Sequence, residues 1–165
     1  MPTNLIKIYN QLLELLYNHA GNLVSLRNVF NQDIANHISF TLNGKPIRPT
    51  TSVNGEDAMD RLFRHLTTVV TDQSTKKREF ETARSVRLHW IKHHVDRLPV
   101  DDLLVFHLED EKRVYVLDKA ERYVVVFEPH RDGSSYYLLT AYPLEPSSFR
   151  MLMNKHDKRG KPGYL

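Results

Sequence analysis

The chain has 165 residues, the length of one domain or of one domain with a small appendage. Hydrophobic residues make up 41% and charged residues 26%, a globular composition that excludes a disordered chain. The absence of cysteine excludes disulfides and thiolate metal sites. No apolar run approaches the roughly 20 residues that span a bilayer, and no signal peptide is recognisable. We therefore expect a cytoplasmic protein without a membrane partner.

The net charge is +3, and the basic residues are concentrated in two segments. Between residues 76 and 97, seven Lys/Arg stand against three acids, and between residues 149 and 165, five stand against one. Acidic residues are concentrated between residues 101 and 111. Two basic segments of this kind predict a surface that binds polyanions, although solvated faces without any partner have the same composition.

In the first half of the chain, the sequence predicts two helices separated by a hairpin. The first helix is predicted over residues 3–20, where leucines and isoleucines recur at helical spacing before a glycine. A hairpin is predicted over residues 38–49, because Asn43-Gly44 is the dipeptide that a type I′ turn prefers. The second helix is predicted over residues 56–71.

The second half of the chain predicts a long helix, a sheet and a closing helix. The long helix spans residues 79–98, and the closing helix spans residues 147–158. Period-two alternation between them predicts four strands, at residues 102–108, 112–118, 122–128 and 135–142. Because the turns are short, these strands are antiparallel neighbours. The predicted fold class is α+β: N-terminal helices, a four-stranded antiparallel sheet covered by helices on one face, and a C-terminal helix.

Two polar residues fall in the apolar sector of the long helix on a helical wheel. Arg87 and His94 share that sector with Trp90. A core-facing arginine is costly unless its charge is paired or lies at the edge of a cleft. Arg87 is therefore an anion clamp or a side chain whose stem crosses the apolar seam to reach water. His94 is a candidate general base or a hydrogen-bonded core histidine.

The fourth predicted strand carries a hydroxyl and a phenol on one face. Alternation places Thr140 and Tyr142 together with Tyr136 and Leu138. Such a pair can donate to a phosphate or stack on a base, although ordinary core packing explains the same pattern. Arg113 opens the second strand and could reach this region or pair with nearby acids.

The motifs of several other enzyme classes are absent from the sequence. It contains no GxxxxGK[ST], GxGxxG, HExxH or GxSxG pattern. The adjacent histidines His93 and His94 point apart on a helix and make a poor metal pair. We expect no metal site and no cofactor.

Three motifs in the second half of the chain resemble a known family. They are ARSVRLHW in the long helix, RVY at the start of the second strand, and YYLLTAY in the fourth strand. In this order and spacing they resemble the phage-associated nucleases of the barnase/EndoU/colicin/RelE-like (BECR) superfamily. The resemblance covers about residues 78–158. The resemblance implies that residues 76–165 form a BECR-like ribonuclease domain. Residues 1–75 are then a helical and hairpin region of unknown role, and the two regions can also form one compact unit.

The resemblance implies a metal-independent, toxin-like endoribonuclease. In such enzymes the ribose 2′-hydroxyl attacks its own phosphodiester and gives a cyclic phosphate and a 5′-hydroxyl. Carried over by residue, Arg87 and Arg113 would clamp the phosphate, and Arg84 would assist them. Thr140 would donate to a phosphate oxygen, and Tyr142 would stack or donate a proton.

The general base is not given by the family motifs. His94 is the first candidate because of its place on the helical wheel, and His156 is the second. The basic last helix carries Arg150, Lys155 and His156, which we expect to contact RNA.

The expected partners are RNA, such as tRNA or ribosome-bound message, and an antitoxin or immunity protein that neutralises the enzyme. The alternative is a catalytically inactive module of a phage or mobile element that binds RNA or a host protein through the same sheet. A purely structural virion component is a third class that the sequence leaves open.

Overall fold

The computed structural model describes residues 4–37, 40–50, 55–96 and 103–158. The architecture is mixed α+β, as the sequence predicts. The helices are α1 (His19–Phe30), α2 (Ala58–Thr67), α3 (Thr82–Ser85), α4 (Trp90–Asp96) and α5 (Pro146–Lys158). The strands are β1 (Thr41–Leu42), β2 (Lys45–Arg48), β3 (Thr68–Asp72), β4 (Lys77–Phe80), β5 (Leu103–Leu108), β6 (Arg113–Asp118), β7 (Tyr123–Pro129) and β8 (Tyr136–Pro143). Within the described ranges, no helix is long and apolar enough to cross a membrane.

Four consecutive strands form the antiparallel meander that the sequence predicts. β6, β7 and β8 each begin one residue later than predicted, and each of the four strands pairs with the next. The predicted start of β5, at residue 102, lies outside the described residues. The turn before β6 ends at Lys112 (φ 53°), and the turn before β7 ends at Arg122 (φ 52°). A left-handed residue at this position matches the twist of the two strands that the turn joins. The short turns therefore set both the pairing and its direction.

The sheet has six strands rather than the predicted four, because the N-terminal hairpin joins it. Its order is β1-β2-β8-β7-β6-β5, and the contact between β2 and β8 is parallel. The hairpin turn itself is as predicted, with Asn43 at φ 52° and Gly44 at φ 77°. Ile47 and Arg48 pair with the first two residues of β8 only. Beyond that point, the edge of β8 faces α2 and α3.

The predicted second and third helices are wrong where they approach each other. α2 ends at Thr67, and the chain continues directly into β3, since the run of threonines and valines favours a strand. β3 and β4 form a separate two-stranded hairpin. Within the described part of the predicted 79–98 range, residues 79–96, only two short helices form, α3 and α4, and turns separate them. The predicted helix end at Leu98 lies outside the described residues.

The predicted first helix over residues 3–20 is also wrong. Only a 3-10 turn at Asn4–Ile6 forms, and the helix proper begins at His19. Asn4 accepts from the Glu14 backbone N–H (2.7 Å) and donates to the Glu14 carbonyl (3.0 Å), which holds the segment in an irregular loop. Gly21, the predicted terminator, lies in the first turn of α1, where its N–H donates to the Asn18 side chain. Of the predicted apolar stripe, Leu5, Ile8, Leu12 and Leu16 are exposed.

Helices cover both faces of the sheet, rather than the single face predicted. One core lies between the sheet and the N-terminal elements, and it includes residues from α1, α2 and α4. The other core lies between the sheet and α5. The predicted boundary near residue 75 falls in the β3–β4 turn, and residues on both sides of it contribute to the first core.

Candidate functional site

Two arginines converge at the open edge of β8. Arg78 on β4 donates to both oxygens of Thr68, with distances of 2.8 Å from Nε to Oγ1 and 2.9 Å from Nη2 to the carbonyl. Nη1 of Arg84 on α3 lies 3.3 Å from the same carbonyl, 3.1 Å from the His65 carbonyl and 3.1 Å from Oγ1 of Thr140. The β3–β4 hairpin and α3 therefore bring two guanidinium groups to one backbone oxygen.

Among the described residues, no carboxylate forms an ion pair with either arginine, although the charge of Glu81 acts on Arg84. Burial lowers the pKa of Arg84, and burial followed by the charges of Arg64, Arg84 and Arg61 lowers the pKa of Arg78. By contrast, Arg64 forms a two-point ion pair with Glu56 at 3.0 and 2.9 Å. A partly buried positive charge without an acid costs free energy that an arriving anion would recover.

We define the cationic cluster as Arg61, Arg78 and Arg84, and His65 lies beside it. Arg61 and His65 line a cavity of about 150 Å³ between α2 and β8, together with Leu138, Leu139 and other side chains. Burial, then the charges of Arg78, Arg61 and Arg64, lower the pKa of His65 to about 4. The imidazole is therefore neutral near pH 7 and can accept a proton.

Thr140 and Tyr142 lie beside the cationic cluster, but not on the face that alternation predicts. A bulge in β8 shifts the register, so that Thr140 pairs with Val126 while Leu138 pairs with Phe127. Leu138 packs in the core below the N-terminal helices, whereas Tyr142 packs towards α5. The predicted common face of Leu138 and Thr140 is therefore wrong, although Thr140 and Tyr142 stay together.

Arg84 contacts both α2 and β8 at this edge. Its guanidinium carbon lies 5.4 Å from the ring centroid of Tyr142, a cation–π distance. Burial raises the pKa of Tyr142, so its phenol stays protonated at neutral pH. The same guanidinium touches Thr140 and the backbone of His65. Arg84 therefore occupies the centre of the site.

Lys155 approaches Tyr142 from α5. The two residues line a cavity of about 170 Å³, and Tyr115 lies on its wall. Lys155 forms an ion pair with Glu111, which also accepts from the Tyr115 hydroxyl at 2.8 Å. Burial opposes ionisation of Glu111, but these two donors lower its pKa overall. Of the residues predicted from the sequence, the structure thus brings together Arg84, Thr140, Tyr142 and Lys155.

The structure places Arg87 and His94 away from this site. The Arg87 guanidinium lies 5.2 Å from the Trp90 ring, and its Nη1 donates to the Ala83 carbonyl at 2.7 Å. His94 is fully buried, with Nδ1 at 2.9 Å from the Trp90 carbonyl and Nε2 at 3.3 Å from the Tyr123 carbonyl. In this position His94 cannot meet a ribose hydroxyl, so the geometry does not support it as the base.

Three other predicted residues lie on different parts of the sheet. Arg113 forms a 2.7 Å ion pair with Glu128, and β7 separates it from Thr140. His156 packs edge-on against Phe106 of β5, three strands from β8 and thus roughly 14 Å away at about 4.8 Å per strand. Arg150 is exposed on α5. Neither predicted base, His94 or His156, faces Thr140.

Acidification should destabilise the fold through His94. Burial lowers the pKa of His94 to about 4, below the value of about 6.5 in an unfolded chain. Between these values the unfolded chain binds more protons, so stability is lost as the pH falls from about 6.5 towards 4. The full shift corresponds to about 3 kcal/mol.

Urea unfolding of the wild type and of His94→Gln at pH 7 and pH 4.5 measures this contribution. The variant cannot take up the proton, and we expect it to lose less stability between the two pH values than the wild type. Equal losses in both proteins would contradict the assignment of the acid sensitivity to His94.

Sequence reasoning missed Arg61, His65 and Arg78 as site residues. All three precede β5 in the chain, outside the four strands that the sequence predicts. One signal was available: residues 67–71 are all threonine or valine, β-branched residues that favour a strand. That run predicts a strand, but it does not predict which side chains meet β8.

Comparisons with protein-family models, with curated proteins and with solved structures found no match to this chain. Among the described residues, no three His, Asp or Glu side chains lie together in a way that could hold a metal ion.

Proposed function

We propose that this protein is a metal-independent endoribonuclease that binds the scissile phosphate at the cationic cluster, beside Thr140 and Tyr142. The observation that carries the proposal is the convergence of Arg78 and Arg84 on the Thr68 carbonyl. Both arginines are partly buried, and neither forms an ion pair among the described residues. Arginine presents planar donors that match phosphate oxygens. An RNA phosphate in this position would replace the missing negative charge.

The neighbouring side chains fit transfer of the phosphate to the 2′-oxygen. Negative charge develops on the phosphate oxygens in the transition state, and fixed cationic and hydroxyl donors stabilise it. Arg78, Arg84 and Thr140 supply these donors. Tyr142, which is protonated and lies against Arg84, can donate a proton to the departing 5′-oxygen.

The BECR resemblance supports the same reading, since Arg84, Thr140 and Tyr142 belong to its motifs and lie together. A toxin-like role and a neutralising partner follow from the resemblance alone and stay part of the proposal. An inhibitor for this site would present acidic residues, because its surface must complement the cationic cluster.

One observation favours the second candidate, an RNA-binding module without catalysis. Of the two bases predicted from the sequence, His94 is buried and His156 lies over β5. If no other group accepts the 2′ proton, the cationic cluster would hold RNA without cleaving it. Cleavage and binding are therefore measured separately.

The test is incubation of purified protein with total RNA and with a short RNA oligonucleotide in the presence of EDTA. We expect discrete cleavage with cyclic-phosphate ends. Thr140→Val, which removes the hydroxyl and keeps the shape, should slow cleavage by about 10²-fold, the effect of losing one transition-state donor. Arg131→Ala, which removes an exposed arginine in the β7–β8 loop, should cleave as the wild type does.

A 2′-deoxy substitution at the cleaved nucleotide provides the chemical control. It should block cleavage and leave binding intact, since the attacking oxygen is missing. Binding by the wild type that is lost in Arg78→Ala, without cleavage by either, would favour the binding module. If the wild type neither cleaves nor binds RNA, the proposal is contradicted.

A further inference from the structure

One ionisable side chain at the site has no role in the steps above. His65 lies in the last turn of α2 and lines the 150 Å³ cavity with Arg61, Leu138 and Leu139. Leu139 directly precedes Thr140 in β8. The backbone carbonyl of His65 accepts from Arg84 at 3.1 Å, so the residue is held against the proposed phosphate site.

We infer that His65 is the general base that removes the 2′ proton, an inference that rests on the proposed function. The ribose of the scissile nucleotide would enter the cavity between α2 and β8 while its phosphate lies on Arg78 and Arg84. As the 2′-oxygen forms its bond to phosphorus, its proton passes to an imidazole nitrogen of His65. The bond from phosphorus to the 5′-oxygen breaks, and that oxygen takes a proton from Tyr142. Solvent then restores both side chains.

The charges around His65 suit this task. The groups that act on the imidazole are the cations Arg78, Arg61 and Arg64 and the carboxylate of Glu56. Together with burial, the three cations keep the imidazole neutral, which a base must be before the reaction. A bound phosphate would offset part of this positive charge and raise the pKa of His65 in the complex. The base would then become stronger when the substrate is present.

The experiment compares wild type, His65→Ala and the control His107→Ala, which removes an exposed histidine on β5 and should leave kcat unchanged. We expect His65→Ala to lower kcat by about 10²-fold or more, which is typical for loss of a general base. Its affinity for the uncleavable 2′-deoxy oligonucleotide should stay within about twofold, a Coulombic expectation since the lost imidazole is uncharged. Added imidazole, which fits the vacated side-chain volume, should raise the cleavage rate of His65→Ala tenfold or more. A merely structural histidine would not be rescued in this way.

The pH dependence gives a second readout. On the acid side, kcat/KM reports the pKa of His65 in the free enzyme and should fall as the pH drops through about 4. The parameter kcat reports the pKa in the complex and should fall at a higher pH. Arg78→Gln should move the kcat/KM limb upwards, because a cation that disfavours protonation is removed. Circular dichroism and thermal melting establish that each variant is folded.

The outcomes separate this inference from the proposed function. If the wild type cleaves and folded His65→Ala cleaves equally well, or gains nothing from imidazole, the inference is overturned and the ribonuclease stands. If the wild type binds RNA but never cleaves it, both the ribonuclease and the role of His65 fall.

Discussion

Replacing Arg84 with methionine should reduce RNA cleavage on the order of 10²–10³-fold while leaving the fold at least as stable as the wild type. The loss of rate follows from the central position of Arg84, which touches Thr140, the Tyr142 ring and the His65 backbone. No other side chain of the described residues makes all three contacts. Methionine has a similar length but cannot donate to a phosphate.

The stability of Arg84→Met is decided by two opposing effects. Arg84 donates to two backbone carbonyls and to the Thr140 hydroxyl, and each hydrogen bond contributes about 1 kcal/mol. One of these carbonyls, that of Thr68, keeps its bond from Arg78 in the variant. Against this loss, methionine removes a partly buried cation that forms no ion pair among the described residues and that lies close to Arg78. Removing such a charge typically stabilises a fold. We expect the two effects to cancel or to favour the variant.

Urea unfolding and single-turnover cleavage measure the two quantities for Arg84→Met. Arg27→Met is the matched control, because Arg27 forms a 2.7 Å ion pair with Asp60 on the other side of α2. It should lose up to about 1 kcal/mol and keep full cleavage. If Arg84→Met instead unfolds easily and its folded fraction cleaves normally, Arg84 is a structural arginine and the site is misplaced.

The antiparallel meander β5–β8 could be predicted from the sequence because its information is local. The strands alternate with period two, and turns of four to six residues join them. Because such turns are short, each strand from β5 to β8 must pair with the next in an antiparallel direction. The parallel contact between β2 and β8 could not be predicted in this way. It joins residues almost ninety positions apart, Ile47 and Tyr136, and nothing in either segment specifies the other.

The predicted first helix failed because tertiary hydrogen bonds override helical periodicity. The backbone of Leu13 donates to the Val86 carbonyl at 2.9 Å, and the Asn4 side chain bonds both backbone groups of Glu14. Asn10 adopts a left-handed φ of 67°, which interrupts any helix. These partners satisfy the backbone without helical bonds, and apolar spacing alone does not reveal them.

The candidate site shows the same division between local and distant information. Thr140 and Tyr142 were found because they lie two residues apart on one strand. His94 was assigned by extending one helical wheel through residues 79–98, and the chain breaks that helix at residues 86–89. His65 comes from α2, which packs against β8, and Arg78 comes from β4, which pairs with β3. Only this tertiary arrangement shows that both residues belong to the site.

Trp90→Ala should lower the free energy of unfolding by about 3–5 kcal/mol, the largest stability effect that we expect from a single substitution. Trp90 is 2% exposed and packs edge-on against Tyr123 of the sheet at 5.2 Å. It also contacts the Tyr9 ring at 5.0 Å, and its Nε1 donates to the Gln11 carbonyl at 3.0 Å. Trp90 therefore holds the irregular N-terminal segment against α4 and the sheet.

Trp90→Phe separates the two contributions of this side chain. It keeps most of the apolar surface and loses the Nε1 donor, which leaves the Gln11 carbonyl with one partner fewer and costs about 1–3 kcal/mol. Thermal melting should place Trp90→Ala about 10 °C below the wild type, at roughly 2–4 °C per kcal/mol. Amide exchange over residues 7–16 should accelerate more than exchange in β6 and β7, since this segment is held by Trp90 while the central strands are held by the sheet. If amide exchange accelerates equally across the chain, or if Trp90→Ala lowers the free energy of unfolding by less than about 1 kcal/mol, Trp90 does not hold the N-terminal segment in place. A buried aromatic residue without that role would destabilise the whole fold to the same extent.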